Sequence, residues 1–148
     1  MPLGEEMNIK AVIAIVVVGM VSLGIFMWQN PKQPVITENN GTSAMVLVSV
    51  PDTLSSSGKL GKRIFEEQCA SCHGRNAAGQ EGVAPPLIHK IYEPSHHGDE
   101  SFQRAAALGV RAHHWPFGNM PPIEGLTRAD VSTVITYVRE LQRANGIH

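Results

Sequence analysis

Cys69-Ala70-Ser71-Cys72-His73-Gly74 is the stretch on which the reading of this chain turns. The 148 residues contain two cysteines, both in this stretch, three positions apart and with a histidine directly after the second. A redox-active C-x-x-C pair is expected beside a βαβ pattern, and a zinc site needs two further Cys or His ligands at local spacing. The flanking sequence offers neither. A bare disulfide is chemically feasible but gives His73 nothing to do.

The C-x-x-C-H spacing is that of c-type haem attachment. Both thiols can add to the vinyl groups of one haem while the adjacent imidazole is held against the iron. Composition agrees. Aromatic residues make up 5% of the chain, so a domain of about a hundred residues has few large side chains from which to build a core. A buried haem supplies that apolar bulk. A formal charge of −1 and the absence of any Lys/Arg run longer than two residues speak against a nucleic-acid partner.

Ahead of the motif, residues 11–28 (AVIAIVVVGMVSLGIFMW) are uncharged and cover roughly 27 Å as a helix, close to the thickness of a hydrocarbon core. The run is longer than a signal-peptide core and ends in Phe26-Met27-Trp28 rather than in small residues, so it is read as an uncleaved transmembrane anchor in contact with the lipid bilayer. Residues 1–10 form the N-terminus before it. Residues 29–56, with Pro31, Pro34, Asn39-Asn40-Gly41, Pro51 and Ser55-Ser56, read as an extended tether. Within the tether, Met45–Val50 has the composition of one short strand or of extended chain packed on the domain that follows.

That domain spans residues 57–148. A helix is expected from Ser57 as cap, with Leu60, Ile64 and Phe65 on one face before Cys69. Gly61 costs about 0.8–1 kcal/mol against Ala inside a helix, which suggests close contact with another backbone. The partner is expected to be the last helix, where Thr127 and Asp130 make an approximate capping box and Val131, Val134, Ile135, Val138 and Leu141 recur at helical spacing. Gly61 and Tyr137 should lie near the crossing. A shorter helix, roughly 100–109, starts after Asp99 and ends near Gly109.

With His73 on one side of the iron, Met120 is the leading candidate for the other. It stands in Gly118-Asn119-Met120-Pro121-Pro122, where prolines hold the chain extended around one thioether. The remaining methionines fall in or before the apolar run, or in the tether.

From Ser57 to about residue 145 the chain resembles a small bacterial class I c-type cytochrome: a helix entering C-x-x-C-H-G, a Pro-Leu element, a short middle helix, a Met-Pro loop and an amphipathic final helix. The resemblance implies an all-α fold wrapped around one covalent haem c. It also implies that a proline in Ala84-Pro85-Pro86-Leu87 offers its carbonyl to the Nδ1–H of His73. Pro85 is the first choice, with Pro86 open because Ala84 stands where the family usually has glycine. Trp115 is implied as a donor to a haem propionate, with Arg111 and His113 as co-donors by proximity. Covalent attachment in the family takes place on the outer side of a bacterial inner membrane. The N-terminus should then face the cytoplasm and the haem domain the periplasm.

Two doublets, His96-His97 and His113-His114, fit no part of this pattern. Neighbouring residues rarely ligate one metal, so exposed or hydrogen-bonded histidine is the default. A second metal site, a proton-linked switch, or replacement of Met120 by His113 or His114 are the sharper alternatives. Met–His ligation raises the iron potential and leaves no open position, which favours one-electron transfer over catalysis. The expected role is a membrane-tethered electron carrier, not an enzyme, between respiratory or photosynthetic complexes, with no small-molecule substrate. The alternatives are a cytochrome subunit of an oxidase or dehydrogenase and, third, a haem sensor or peroxidase with a labile Met120.

Overall fold

The computed structural model describes residues 44–148 and, ahead of them, the helical positions 9, 12, 13 and 20. Apart from those isolated positions, the anchor assigned to 11–28 and the tether up to residue 43 lie outside the described residues. Among the described residues no helix is long and apolar enough to cross a membrane.

The described domain is helical. It contains α1 (Ser56–Gln68), α2 (Ala70–His73), α3 (Asp99–Leu108) and α4 (Arg128–Ala144), with 3-10 turns at Arg75–Ala77 and Lys90–Tyr92. Isolated bridges, Gln80 to Ala84 and Val110 to Met120, stand where a β protein would have strands.

Helix α1 begins earlier than its local sequence predicts. Ser55, not Ser57, is the cap, its hydroxyl accepting the Gly58 N–H at 3.0 Å. The reason is long-range: the same hydroxyl donates to the Glu140 carboxylate of α4 at 2.5 Å, so the partner helix selects among three consecutive serines. Helix α4 starts at the expected Thr127 with a complete capping box.

The two helices cross where Gly61 meets α4. A Cβ on Gly61 would fall on the Thr133 carbonyl and the Val134 nitrogen. One turn on, Phe65 and Tyr137 are fully buried with ring centroids 5.6 Å apart and planes tilted by 60°. Val134, Val138 and Leu141 fill the same core, and each such side chain contributes about 1.5–3 kcal/mol by leaving water.

Arg139 is the charged member of this interior, 7% exposed. Its guanidinium pairs with Asp99 at 3.0 Å, donates to the carbonyls of Tyr92 and His97 and to the Gln142 side chain, and lies 4.9 Å from the Phe102 ring. A buried charge is tolerable only with this degree of pairing. It fastens α4 to the loop before α3.

Residues 45–50 form extended chain packed on the helices, not a strand. The N–H groups of Met45 and Val46 share the Ala78 carbonyl at 3.1 and 3.3 Å, and Val48 is 1% exposed. Ser49 exchanges two hydrogen bonds with the side chain of Asn145, at 2.9 and 2.8 Å.

Candidate haem site

Cys69 ends α1, and the one-turn helix α2 carries Ser71, Cys72 and His73. Gly74 follows at φ +73°, against the Gly79 carbonyl, and the Gly79 N–H closes the loop onto the His73 carbonyl at 2.7 Å. A side chain at Gly74 would be strained by conformation and blocked by backbone. Gln80 supports the motif from outside: its side-chain amide reaches the carbonyls of Ala70, Ser71 and Cys72 at 3.3, 2.7 and 3.1 Å. The Ala70 carbonyl already accepts the Gly74 N–H at 3.0 Å, while those of Ser71 and Cys72 lie in the last turn, where intrahelical donors run out.

The two thiols are free, Cys69 half-buried and Cys72 exposed. Burial, with a smaller contribution from neighbouring Cys72, pushes the Cys69 thiol up to about 11. It is therefore protonated at neutral pH, the opposite of the low-pKa thiolate that marks redox and metal-binding cysteines.

His73 Nδ1 lies 2.9 Å from the Pro85 carbonyl. A carbonyl can only accept, so the bond is Nδ1–H to oxygen and the Nε2 lone pair is left for another partner. Burial holds the ring below its ordinary pKa, partly offset by the Pro85 bond, so the imidazole is neutral at neutral pH. The choice between Pro85 and Pro86 is made by packing: Pro86 is enclosed against Gly79, and Leu87 N–H bonds to the Ala77 carbonyl at 2.9 Å, leaving the Pro85 carbonyl to turn toward His73.

Met120 sits at the end of a loop closed on itself. Its N–H and carbonyl both pair with Val110 at 2.9 Å, and within the loop Ala112 N–H donates to the Asn119 side chain at 2.9 Å. Gly109, at φ +73°, lies directly against the Met120 carbonyl. Arg111 is exposed and lines, with Met120, Leu108, Val110 and Asn119, an open groove of about 330 Å³. A larger groove, about 460 Å³, lies between α3 and α4 and shares none of the residues assigned to the haem.

Trp115 Nε1 is buried without a hydrogen-bond partner among the described residues. It approaches the Tyr92 hydroxyl without reaching hydrogen-bond geometry; burial pushes the Tyr92 phenol up to about 12, eased slightly by the nearby indole. A buried orphan donor calls for an acceptor, and a propionate is one. The Trp115 ring stacks on Phe117 at 5.8 Å and meets the His89 ring edge-on at 5.2 Å, which fixes the direction of the N–H. The donor set therefore fits haem c: two free thiols, one oriented neutral imidazole, one thioether on a closed loop and one unpartnered indole N–H.

Gln80, Tyr92 and Arg139 escape the sequence reading. Each acts through contacts with residues distant in sequence, and none stands in a recognisable motif.

A family model described as cytochrome c matches residues 58–142. The chain is also 34% identical over 87 residues to a protein of Rubrivivax gelatinosus named cbb3-type cytochrome c oxidase subunit CcoP. The match takes in 57% of this chain and 26% of that protein, so the chain spans about a quarter of the relative's length.

Proposed function

Because this chain belongs to the cytochrome c family, matched over residues 58–142, we propose that it is a one-electron carrier for a single haem c, which Cys69 and Cys72 would hold through thioether bonds and His73 and Met120 would ligate. Haem electron transfer follows from the family. The observation that carries it is the His73 Nδ1–H bond to Pro85, which presents Nε2 as a fixed, neutral donor. The bound haem supplies the Fe(III)/Fe(II) couple.

The chain does the rest. The closed loop from Val110 to Met120 holds a thioether in place, and a thioether ligand together with imidazole would raise the reduction potential of the bound iron. Trp115 Nε1–H would donate a hydrogen bond to a propionate, and Arg111 from the loop surface would offset its charge. Residues 11–28 anchor the protein in a bacterial inner membrane with the haem domain in the periplasm. Tethering raises its effective concentration at membrane partners.

The test is a visible spectrum with potentiometric titration of detergent-extracted protein. A low-spin spectrum with the weak far-red band of thioether ligation and a single one-electron step is the expected result. Rapid carbon monoxide binding by the reduced protein would replace this reading with that of a sensor or peroxidase.

A second reading, a fixed subunit of a terminal oxidase, draws support from the relative named as an oxidase subunit. Copurification of oxidase subunits after mild detergent extraction would favour it. A monodisperse single chain would favour the free carrier.

A further inference from the structure

Next to Arg111 and Trp115, both histidine doublets meet at one surface. The side-chain nitrogens of His96, His97 and His114 include one from each residue that all lie within 4.8 Å of one another. The His113 ring packs 4.2 Å from that of His114 and 6.2 Å from that of His97. The sequence argument that neighbours cannot share a metal applies within each doublet on a regular element. Here the doublets lie in two loops, on either side of α3, that face each other.

The cluster is oriented as well as close. His97 Nδ1–H donates to the Ile91 carbonyl at 2.6 Å, and His113 Nδ1–H donates to the Arg111 carbonyl at 2.8 Å, so each directs a free Nε2 lone pair outward. Imidazoles that bind metals carry this kind of bond on the other nitrogen, because it sets the tautomer and the ring direction. The main chain beneath is rigid: the His97 carbonyl receives Arg139, and the N–H groups of His96 and His97 both bond to the Glu93 carbonyl, at 3.0 and 2.8 Å. Partial desolvation, then repulsion from His113, His97 and His96, holds His114 below its ordinary pKa.

The ligand chemistry narrows the ion. Among the described residues no carboxylate or thiolate completes the group. Hard cations such as calcium and magnesium need oxygen ligands, while an all-imidazole set suits zinc, copper or nickel. Three imidazoles with one water is a normal tetrahedral environment for zinc. We propose that His96, His97 and His114 bind one borderline divalent transition-metal ion, zinc(II) in the first instance, which links the loop before α3 to the loop that ends at Met120. The site is distinct from the haem iron, and it rests on the reading above that Met120, not His114, is the second iron ligand.

The experiment is a titration of the haem-loaded full chain with zinc chloride against a competing chromophoric chelator. One zinc per chain is expected. His97→Gln and His114→Gln should each weaken binding by about 10- to 100-fold or more, while His148→Gln, outside the cluster, leaves it unchanged. Haem absorbance and far-UV circular dichroism show whether each variant is folded. Should His97→Gln not fold, His114→Gln, in an exposed loop, carries the test alone. Absence of saturable zinc binding, or binding that survives His114→Gln unweakened, overturns the proposal.

Discussion

Met120 is held more by its main chain than by its surroundings. Both of its backbone groups are paired with Val110, while the side chain lies half-buried beside an open groove. Met120→Ala should therefore leave the loop and the fold in place. It should abolish the far-red thioether band, lower the reduction potential and admit carbon monoxide to the reduced protein, all measurable on one sample. The histidines that could take its place, His113 and His114, pack against His96 and His97. Asn76 is a second single-residue device. It adopts a left-handed conformation, φ +55°, and its side-chain oxygen accepts the buried Tyr137 hydroxyl at 3.2 Å. Asn76→Ala should cost about 1–3 kcal/mol through the unpaired hydroxyl, with about 1–2 more from the left-handed backbone. Asn76→Gly should recover the second part only, and denaturant unfolding separates the two. At this scale the sequence was most legible where chemistry is local. C-x-x-C-H and the Pro-bracketed Met120 stand out because neighbouring residues define them. Tyr92 and Gln80 do not, because their roles come from partners elsewhere in the chain.

Helices α1 and α4 show how one missing side chain sets an interface. Helix propensity alone favours alanine over glycine at position 61 by about 0.8–1 kcal/mol. The Thr133 carbonyl occupies the place where that methyl group would go, and a backbone atom cannot rotate aside. The steric term wins: Gly61→Ala should destabilise by about 1–3 kcal/mol, read as a drop in midpoint at unchanged denaturant slope. The start of α4 carries an acid-sensitive element. The Thr127 hydroxyl, then its main-chain N–H, hold the Asp130 carboxyl below its ordinary 3.8. A depressed folded-state pKa stabilises the protein above 3.8 and loses that contribution as pH falls through the lower folded value. The melting-temperature difference between wild type and Asp130→Asn should be largest near neutrality and shrink below pH 3.8. Both helices, their crossing at Gly61 and Tyr137, and the cap at Thr127 could be read from periodicity and capping chemistry. The first residue of α1 could not, because Glu140, 85 positions away, decides which serine caps it.

For the molecule as a whole, the scarcity of aromatic side chains in the sequence has a counterpart in the core. Among the described residues Phe65 and Tyr137 are the fully buried aromatics, and smaller aliphatic residues surround them. The all-α class was legible through the family resemblance that C-x-x-C-H-G and the Met-Pro loop carry, and through the helical spacing of apolar residues in the first and last helices. The course of residues 45–50 was less so: their composition allows a strand, and only packing of Val48 against the helices resolves it. Arg139 was invisible in the sequence as an interior residue, since burying a guanidinium depends on acceptors brought together from Tyr92, His97 and Asp99.

The two hydrogen bonds between Ser49 and Asn145 make neighbours of the places where the chain enters and leaves this domain. A module whose doors stand side by side can be spliced into a host protein's surface loop without stretching the host or unwinding itself. One serine and one asparagine thus clasp the segment before α1 to the end of α4.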